Sequence, residues 1–319
     1  LRYGQVLVKV HYSGICGAQI NEIEGAKGPD KFLPHLLGHE GCATVLETGE
    51  GVRTVKKGDK VVMHWRPSNG VQSEPPSYSW NGRKVNAGWV TTFNDYAIVS
   101  ENRLTPIPQD FDSKLAPLFG CAITTAIGVI NNNAHVKVGQ SVVVFGVGGV
   151  GLNVIQGGAM VAAHPIIAVD LLKSKLDLAR AVGATHAIDA SKEDPAAAIR
   201  AITGRGADFT FVAVGATRPI TQAVDALAPG GTCVLIGVPE TGATVPLDAR
   251  PLVTGERVIR GSSYGSARTR EDLPRLVSLY QAGKLRIDEL ITHRYALEDA
   301  NEAFRALAKD LALHIASAA

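Results

Sequence analysis

Cysteine is scarce in this chain: of 319 residues only Cys16, Cys42, Cys121 and Cys233 are cysteines, and they stand far apart. That spacing excludes a disulfide framework and points to a reducing, cytoplasmic compartment. Runs of like charge are missing too. With 32 Lys and Arg against 30 Asp and Glu the net charge is +2, which gives no electrostatic footprint for nucleic acid or an anionic membrane surface. Apolar stretches are broken by Gly or Pro before they reach the roughly 20 residues of a spanning helix, so no membrane passage is expected. The chain opens on the strand-like "GQVLVKVHYSGIC" with neither an initiator Met nor a targeting segment, and at least one earlier strand is expected to precede it.

The 45% hydrophobic and 19% charged composition is that of a globular protein, and the length suits two domains, each able to bury a core. Residues 5 to 15, 42 to 48 and 58 to 64 are short β-branched runs separated by Gly, Pro and Asp, the pattern of an irregular antiparallel barrel. From about Thr124 the strands "SVVVFGV", "PIIAVD", "HAID", "DFTFVAV" and "GTCVLIGV" alternate with helical segments, which predicts a doubly wound parallel sheet. The alternation stops near Ser263, where two amphipathic helices flank a strand-like "ITHRYA". The expected organisation is α/β, with one domain from 1 to 122 and 264 to 319 and a second from 123 to 263. The Pro-, Ser-, Asn- and Gly-rich stretch from Arg66 to Trp89 predicts a long loop.

The stretch "VVVFGVGGVGLNVIQ" runs from a buried strand through Gly146, Gly148, Gly149, Val150 and Gly151 into a helix. Bare backbone and a helix N-terminus suit a pyrophosphate, although a glycine-rich turn can also serve close packing alone. Asp170, 19 residues beyond Gly151 and at the end of a second strand, completes the dinucleotide pattern by accepting from ribose hydroxyls. Its charge repels a 2′-phosphate, so NAD is expected rather than NADP.

Three residues with metal-ligand chemistry fall in the first domain: Cys16 in "SGICGAQI", His39 in "LLGHEG" and Cys121 in "PLFGCAIT". Singly, each reads as an ordinary core residue. Together, two thiolates and an imidazole suit a tetrahedral zinc with one open position. With "GHE", "GDKVV" at Gly58–Val62, "GVGGVG", "VGAT" at Val182–Thr185, "GVP" at Gly237–Pro239 and "NEAF" in the last helix, the chain resembles the zinc-dependent medium-chain alcohol dehydrogenases over its whole length.

The resemblance implies a GroES-like barrel with a Rossmann domain. It implies one catalytic zinc on Cys16, His39 and Cys121, with Glu40 behind it. It places Asp170 and Lys175 at the ribose, Thr125 and Ile236 among the cofactor contacts, and His314, expected near the end of the last helix, where relatives often keep a pyrophosphate-binding Arg. A homodimer or homotetramer is implied, joined through the Glu256–Gly265 edge.

Two departures qualify it. Residues 63 to 94 hold no cysteine, so the four-cysteine lobe for a second, structural zinc is absent, and Trp65, Tyr78, Trp80 and Trp89 are expected to pack that region instead. Relatives follow the first ligand with a residue, a Ser or Thr that relays the alcohol proton, and an Asp that orients the ligand His; here the residues are Gly17, Ala18 and Gln19. Gln19, Asn21, His64, Trp65 and Arg66, with small Ala87 and Gly88 opposite, point to a polyol, cyclitol or sugar, unless they form only a solvated rim. Two other readings stay open: a zinc-free quinone or enoyl reductase of the same superfamily, and a nucleotide-binding protein that has lost catalysis.

Overall fold

A computed structural model describes residues 1–309 and the backbone of 314–318. The chain divides into two compact units, Leu1–Thr124 with Arg268–Ala319, and Thr125–Ala267.

The first unit begins with β1 (Gln5–Ile15), in which Val6, Val8 and Val10 alternate inward while Lys9 is exposed. A period of two is the pleat of a half-buried strand. After α1 (Gly17–Ile23) come β2 (Glu40–Thr48), β3 (Lys60–His64), β4 (Ser77–Trp80), β5 (Arg83–Asn86), β6 (Tyr96–Ser100) and β7 (Leu104–Pro106). β1 pairs antiparallel with both β2 and β6, and β2, β3 and β7 extend the sheet in turn. Val6, Val8, Val10, Val45, Val61, Met63, Val99 and Leu104 form its core.

The stretch from Arg66 to Trp89 is not the long loop that its composition suggests. It contains the antiparallel hairpin β4–β5, turned by Asn81 at φ 50 and Gly82 at φ 74. Two consecutive left-handed residues make the turn whose twist matches that of paired strands, and Asn-Gly is its strongest signal. Nor do the indoles pack as expected: Trp65, Trp80 and Trp89 are 37%, 67% and 48% exposed. Tyr78 does dock, its hydroxyl accepting from the Ile98 N–H at 3.0 Å.

Within α2 (Ala122–Gly128) the chain passes from the first unit to the second. There β8 (Val142–Phe145), α3 (Gly149–Met160), β9 (Ile166–Asp170), α4 (Lys173–Ala181), β10 (His186–Asp189), α5 (Pro195–Thr203), β11 (Ala207–Val212), α6 (Thr217–Asp225), β12 (Leu227–Leu235), α7 (Ala249–Thr254) and β13 (Val258–Gly261) follow one another. All the strand pairs are parallel, in the order β10-β9-β8-β11-β12-β13. The order reverses between β8 and β11, the switch point outside which such sheets bind ligands. Val143, Phe145, Ile167, Val169, Ile199 and Val212 are buried in its core. Burying each such side chain contributes roughly 1.5–3 kcal/mol.

The chain then returns to the first unit with α8 (Thr269–Gln281), β14 (Ile291–Ala296), α9 (Ala300–Ala308) and β15 (His314–Ala318). β15 lies between β14 and β1. His314 therefore opens a strand instead of closing the last helix; its side chain, expected at a pyrophosphate, lies outside the described residues. Among the described residues no helix is long and apolar enough to cross a membrane.

Candidate metal centre and nucleotide site

Cys16 leaves the end of β1 in extended geometry, φ −115 and ψ 152, and serves as the N-cap of α1. The Gln19 side chain, three residues on, accepts from the Cys16 N–H at 2.8 Å and so satisfies a donor at the helix entrance. His39 precedes β2 and is set by Gly38, whose φ of +94 and lack of Cβ admit the Thr92 hydroxyl, 2.2 Å from where a Cβ would stand. Cys121 follows a short 3-10 turn, Ala116–Gly120.

These segments bring the two sulfurs and an imidazole nitrogen within 4.8 Å of one another. His39 Nε2 is buried without a hydrogen-bond partner. An unmatched buried polar atom costs free energy, and a metal ion is one group that would match it. The donor set of two sulfurs and one nitrogen is the one expected for zinc with an exchangeable fourth position. The two thiols behave as one acid: Cys16 is held well below the ordinary thiol range by the hydrogen bond from Cys121, which in turn keeps its proton far above it.

Glu40, the first residue of β2, is fully buried, and both its carboxylate oxygens lack partners. Burial, then the neighbouring Cys16, pushes its pKa up to about 8. The space it occupies is kept by glycines: a Cβ on Gly14 would come within 2.7 Å of the Glu40 carboxyl carbon.

In the parallel unit, Gly146 at φ +83 turns the chain out of β8, and Gly151 packs α3 against that turn. Gly148 is the N-cap of α3 and faces open space. The helical ladder starts with Leu152 N–H to Gly148 O at 2.9 Å, so the amides of Gly149, Val150 and Gly151 are the first-turn donors that an α-helix leaves for an anion. Asp170 ends β9, and its Oδ2 accepts from the Val147 N–H at 2.9 Å, tying the glycine turn to the second strand. Its Oδ1 accepts from Leu171 and Leu172. Lys175 lies half-buried in the first turn of α4, Thr125 is buried in α2, and Ile236 follows β12 with its N–H on Val212 O.

Two stretches of the chain match known families. Residues 2–109 match the alcohol dehydrogenase GroES-like domain, and residues 149–282 match the zinc-binding dehydrogenase model. The chain is 34% identical to the alcohol dehydrogenase class-3 of Cereibacter sphaeroides, over 94% of this chain and 89% of that one. It is 32% identical to the S-(hydroxymethyl)glutathione dehydrogenase of Synechocystis, with the same coverage. The chain belongs to the zinc-binding alcohol dehydrogenase family. Among solved members, benzyl alcohol dehydrogenase from Acinetobacter calcoaceticus superposes with a TM-score of 0.91 at 30% identity, covering 100% of this chain and 92% of that one. The 2R,3R-butanediol dehydrogenase of Bacillus subtilis gives 0.80 at 27% identity, covering 100% and 93%. The chain is thus an oxidoreductase of the alcohol dehydrogenase class.

Within this family member, the residues expected to face substrate divide. Gln19 is 1% exposed, and its Nε2 points at His39 Nδ1. Buried against His39, it is unavailable to a substrate. His64 is fully buried, bonded through Nδ1 to Arg66 O at 2.7 Å and through Nε2 to Thr105 Oγ1 at 2.9 Å. Burial, reinforced by Arg270 and Arg103, lowers its pKa to about 3, so it is a neutral core residue. Trp65 stays exposed and its indole donates to Cys121, while Asn21 and Arg66 are half-buried. Arg103 donates to the Trp65 carbonyl and lies 5.3 Å from the Trp89 ring centroid. That bracket holds the aromatic segment together, and a lone Arg far along the sequence gave no sign of it.

A second group of ligand-type residues, Glu22, Asp30 and His35, also comes together. It closes on itself: His35 bonds Asp30 at 2.8 Å through Nε2 and Leu36 O at 2.8 Å through Nδ1.

Proposed function

We propose that this chain oxidises a small alcohol to the ketone or aldehyde, with one zinc held by Cys16, His39 and Cys121 and with NAD as the hydride acceptor. The observation that carries the reading is the unmatched buried Nε2 of His39 set among two cysteine sulfurs. When bound, zinc supplies Lewis-acid polarisation at the substrate oxygen, and the nicotinamide supplies the hydride acceptor. The chain's own share is positional. Cys16 and Cys121 give up protons to become ligands, the first readily. Glu40 keeps a buried carboxyl, its pKa raised to about 8, that would adjust the charge around a bound metal by holding or releasing its proton. Asp170 orients the glycine turn and would accept from ribose hydroxyls. Its charge disfavours a 2′-phosphate, which supports NAD over NADP. In the cofactor site the reading also takes in Gly146, Gly148, Gly149, Val150, Gly151, Lys175, Thr125 and Ile236.

The polyol, cyclitol or sugar reading now rests on Asn21 and Arg66, since Gln19 and His64 are turned away. The exposed indole of Trp65 on Cys121 favours an apolar or aromatic alcohol, in line with the benzyl alcohol dehydrogenase relative. A panel of polyols and benzylic alcohols assayed with NAD and NADP decides between them. Higher kcat/KM for benzyl alcohol than for every polyol supports the aromatic class, and the reverse restores the polyol. Absence of NAD-linked turnover with any alcohol, in zinc-replete protein, overturns the dehydrogenase reading. A homodimer or homotetramer formed through β13, the last strand of the parallel sheet, completes the proposal; a monomeric mass in light scattering overturns that part.

A further inference from the structure

A primary amide has one end that accepts and one that donates, and Gln19 has a buried neighbour at each end. Its Oε1 takes the Cys16 N–H at 2.8 Å. Its Nε2 is left for His39 Nδ1. A donor on that side requires a lone pair on Nδ1, which places the single proton of the neutral ring on Nε2. Nε2 is the ring atom that has no hydrogen-bond partner in the protein.

A metal at Nε2 needs the opposite arrangement. The proton must leave Nε2 and one must be taken up at Nδ1, with no net change in the ring. Gln19 then faces two N–H donors, from Cys16 and from His39, with one oxygen to offer. Reversing the amide satisfies His39 and turns the NH2 group against the Cys16 N–H. With Gln19 only 1% exposed, water has little access to repair the mismatch. A carboxylate of the same length would accept from both donors at once.

We propose that Gln19 is a positioning residue matched to the metal-free tautomer of His39, so that this chain loads its metal at the expense of a buried hydrogen bond and holds it loosely. The inference rests on the metal reading given above and deepens it. Losses at residues that support a metal ligand change affinity by roughly ten- to a hundredfold. The same range is expected here, recovered by Gln19→Glu.

Two measurements test this separately from turnover. In metal-free protein with 15N-labelled histidine, long-range 15N–1H correlation should show His39 carrying its proton on Nε2, moving to Nδ1 on addition of zinc. Chelator competition should give a zinc Kd roughly ten- to a hundredfold lower for Gln19→Glu than for the unmodified chain. Gln19→Met, of similar length but without hydrogen bonds, loses the preference for the metal-free tautomer and should bind zinc at least as tightly as the unmodified chain, though less tightly than Gln19→Glu. A metal-free His39 protonated on Nδ1 overturns the proposal. So does a folded Gln19→Glu variant that binds one zinc no more tightly. If the unmodified chain takes up no zinc at any concentration while His39 carries its proton on Nε2, the metal reading itself is overturned, and the loose-binding proposal with it.

Discussion

A Cβ placed on Gly151 would stand 2.0 Å from the carbonyl oxygen of Gly146. One on Gly148 would meet nothing within 4 Å. The same motif thus contains a glycine required by packing and one that leaves room for a ligand. Gly151→Ala is expected to destabilise the parallel unit by roughly 1–3 kcal/mol, the usual effect of forcing a group into filled space. Gly148→Ala is expected to keep stability within about 0.5 kcal/mol while weakening NAD binding. Thermal denaturation together with an NAD fluorescence titration reads both; equal loss of stability in the two variants would contradict the assignment.

Zinc content gives a second test. Elemental analysis of protein expressed in zinc-supplemented medium should give one zinc per chain, lost on His39→Ala or Cys121→Ser. Two metals per chain would revive a structural zinc, for which residues 63 to 94 offer no cysteine.

Asp170 accepts from the Val147 N–H, and the proposed function adds a ribose as a second partner. Asp170→Ser removes the charge that disfavours a 2′-phosphate and also loosens the glycine turn. NAD should bind more weakly, and the ratio of kcat/KM for NAD over NADP should fall by roughly ten- to a hundredfold, about 1.4–2.8 kcal/mol. A ratio that is unchanged, or that already favours NADP in the unmodified chain, is the contrary result.

His64 sets an acid limit on stability. Its pKa is about 3 in the fold against an ordinary 6.5. Above pH 6.5 it is neutral whether folded or unfolded and adds no pH dependence. Between pH 6.5 and about 3 the unfolded chain binds a proton that the folded one refuses, so stability falls by roughly 1.4 kcal/mol per pH unit. Denaturant unfolding at pH 7.5, 6 and 5 should show this slope, and His64→Gln should flatten it by that amount. If the variant keeps the full slope, other groups are responsible.

The legible parts of the molecule were those whose chemistry is local. The run from Val142 to Gly151 states its strand, turn and helix in consecutive letters, and Asp170 follows at a fixed distance because the strand and helix between them have set lengths. Cys16, His39 and Cys121 lie far apart in sequence; only the family pattern joined them, since their meeting depends on sheet pairing. For the same reason the sequence does not decide whether Gln19 meets His39 or a substrate, or whether His64 is buried: a polar residue near a ligand in sequence faces inward or outward according to the neighbours packed on it. The Asn81–Gly82 hairpin differs from these. Its signal was present and local, but the Pro and Ser around it made the whole stretch read as loop.

The order in which the chain emerges during synthesis bears on where it is vulnerable. Thr125–Ala267 is one continuous unit and has all its own strands once Ala267 is made, whereas Leu1–Thr124 must wait for Arg268 onward. The late arrivals are central to that earlier half: Ile15, the neighbour of Cys16, is buried with Ala303, against Phe304 and Tyr295. A nascent chain therefore carries an uncovered Ile15, next to a reactive thiol, for as long as it takes to translate the second unit and reach α9. At roughly 5–20 residues per second that interval lasts many seconds, and throughout it Ile15 is open to chaperones while the chain on either side of Cys16 has not yet been covered.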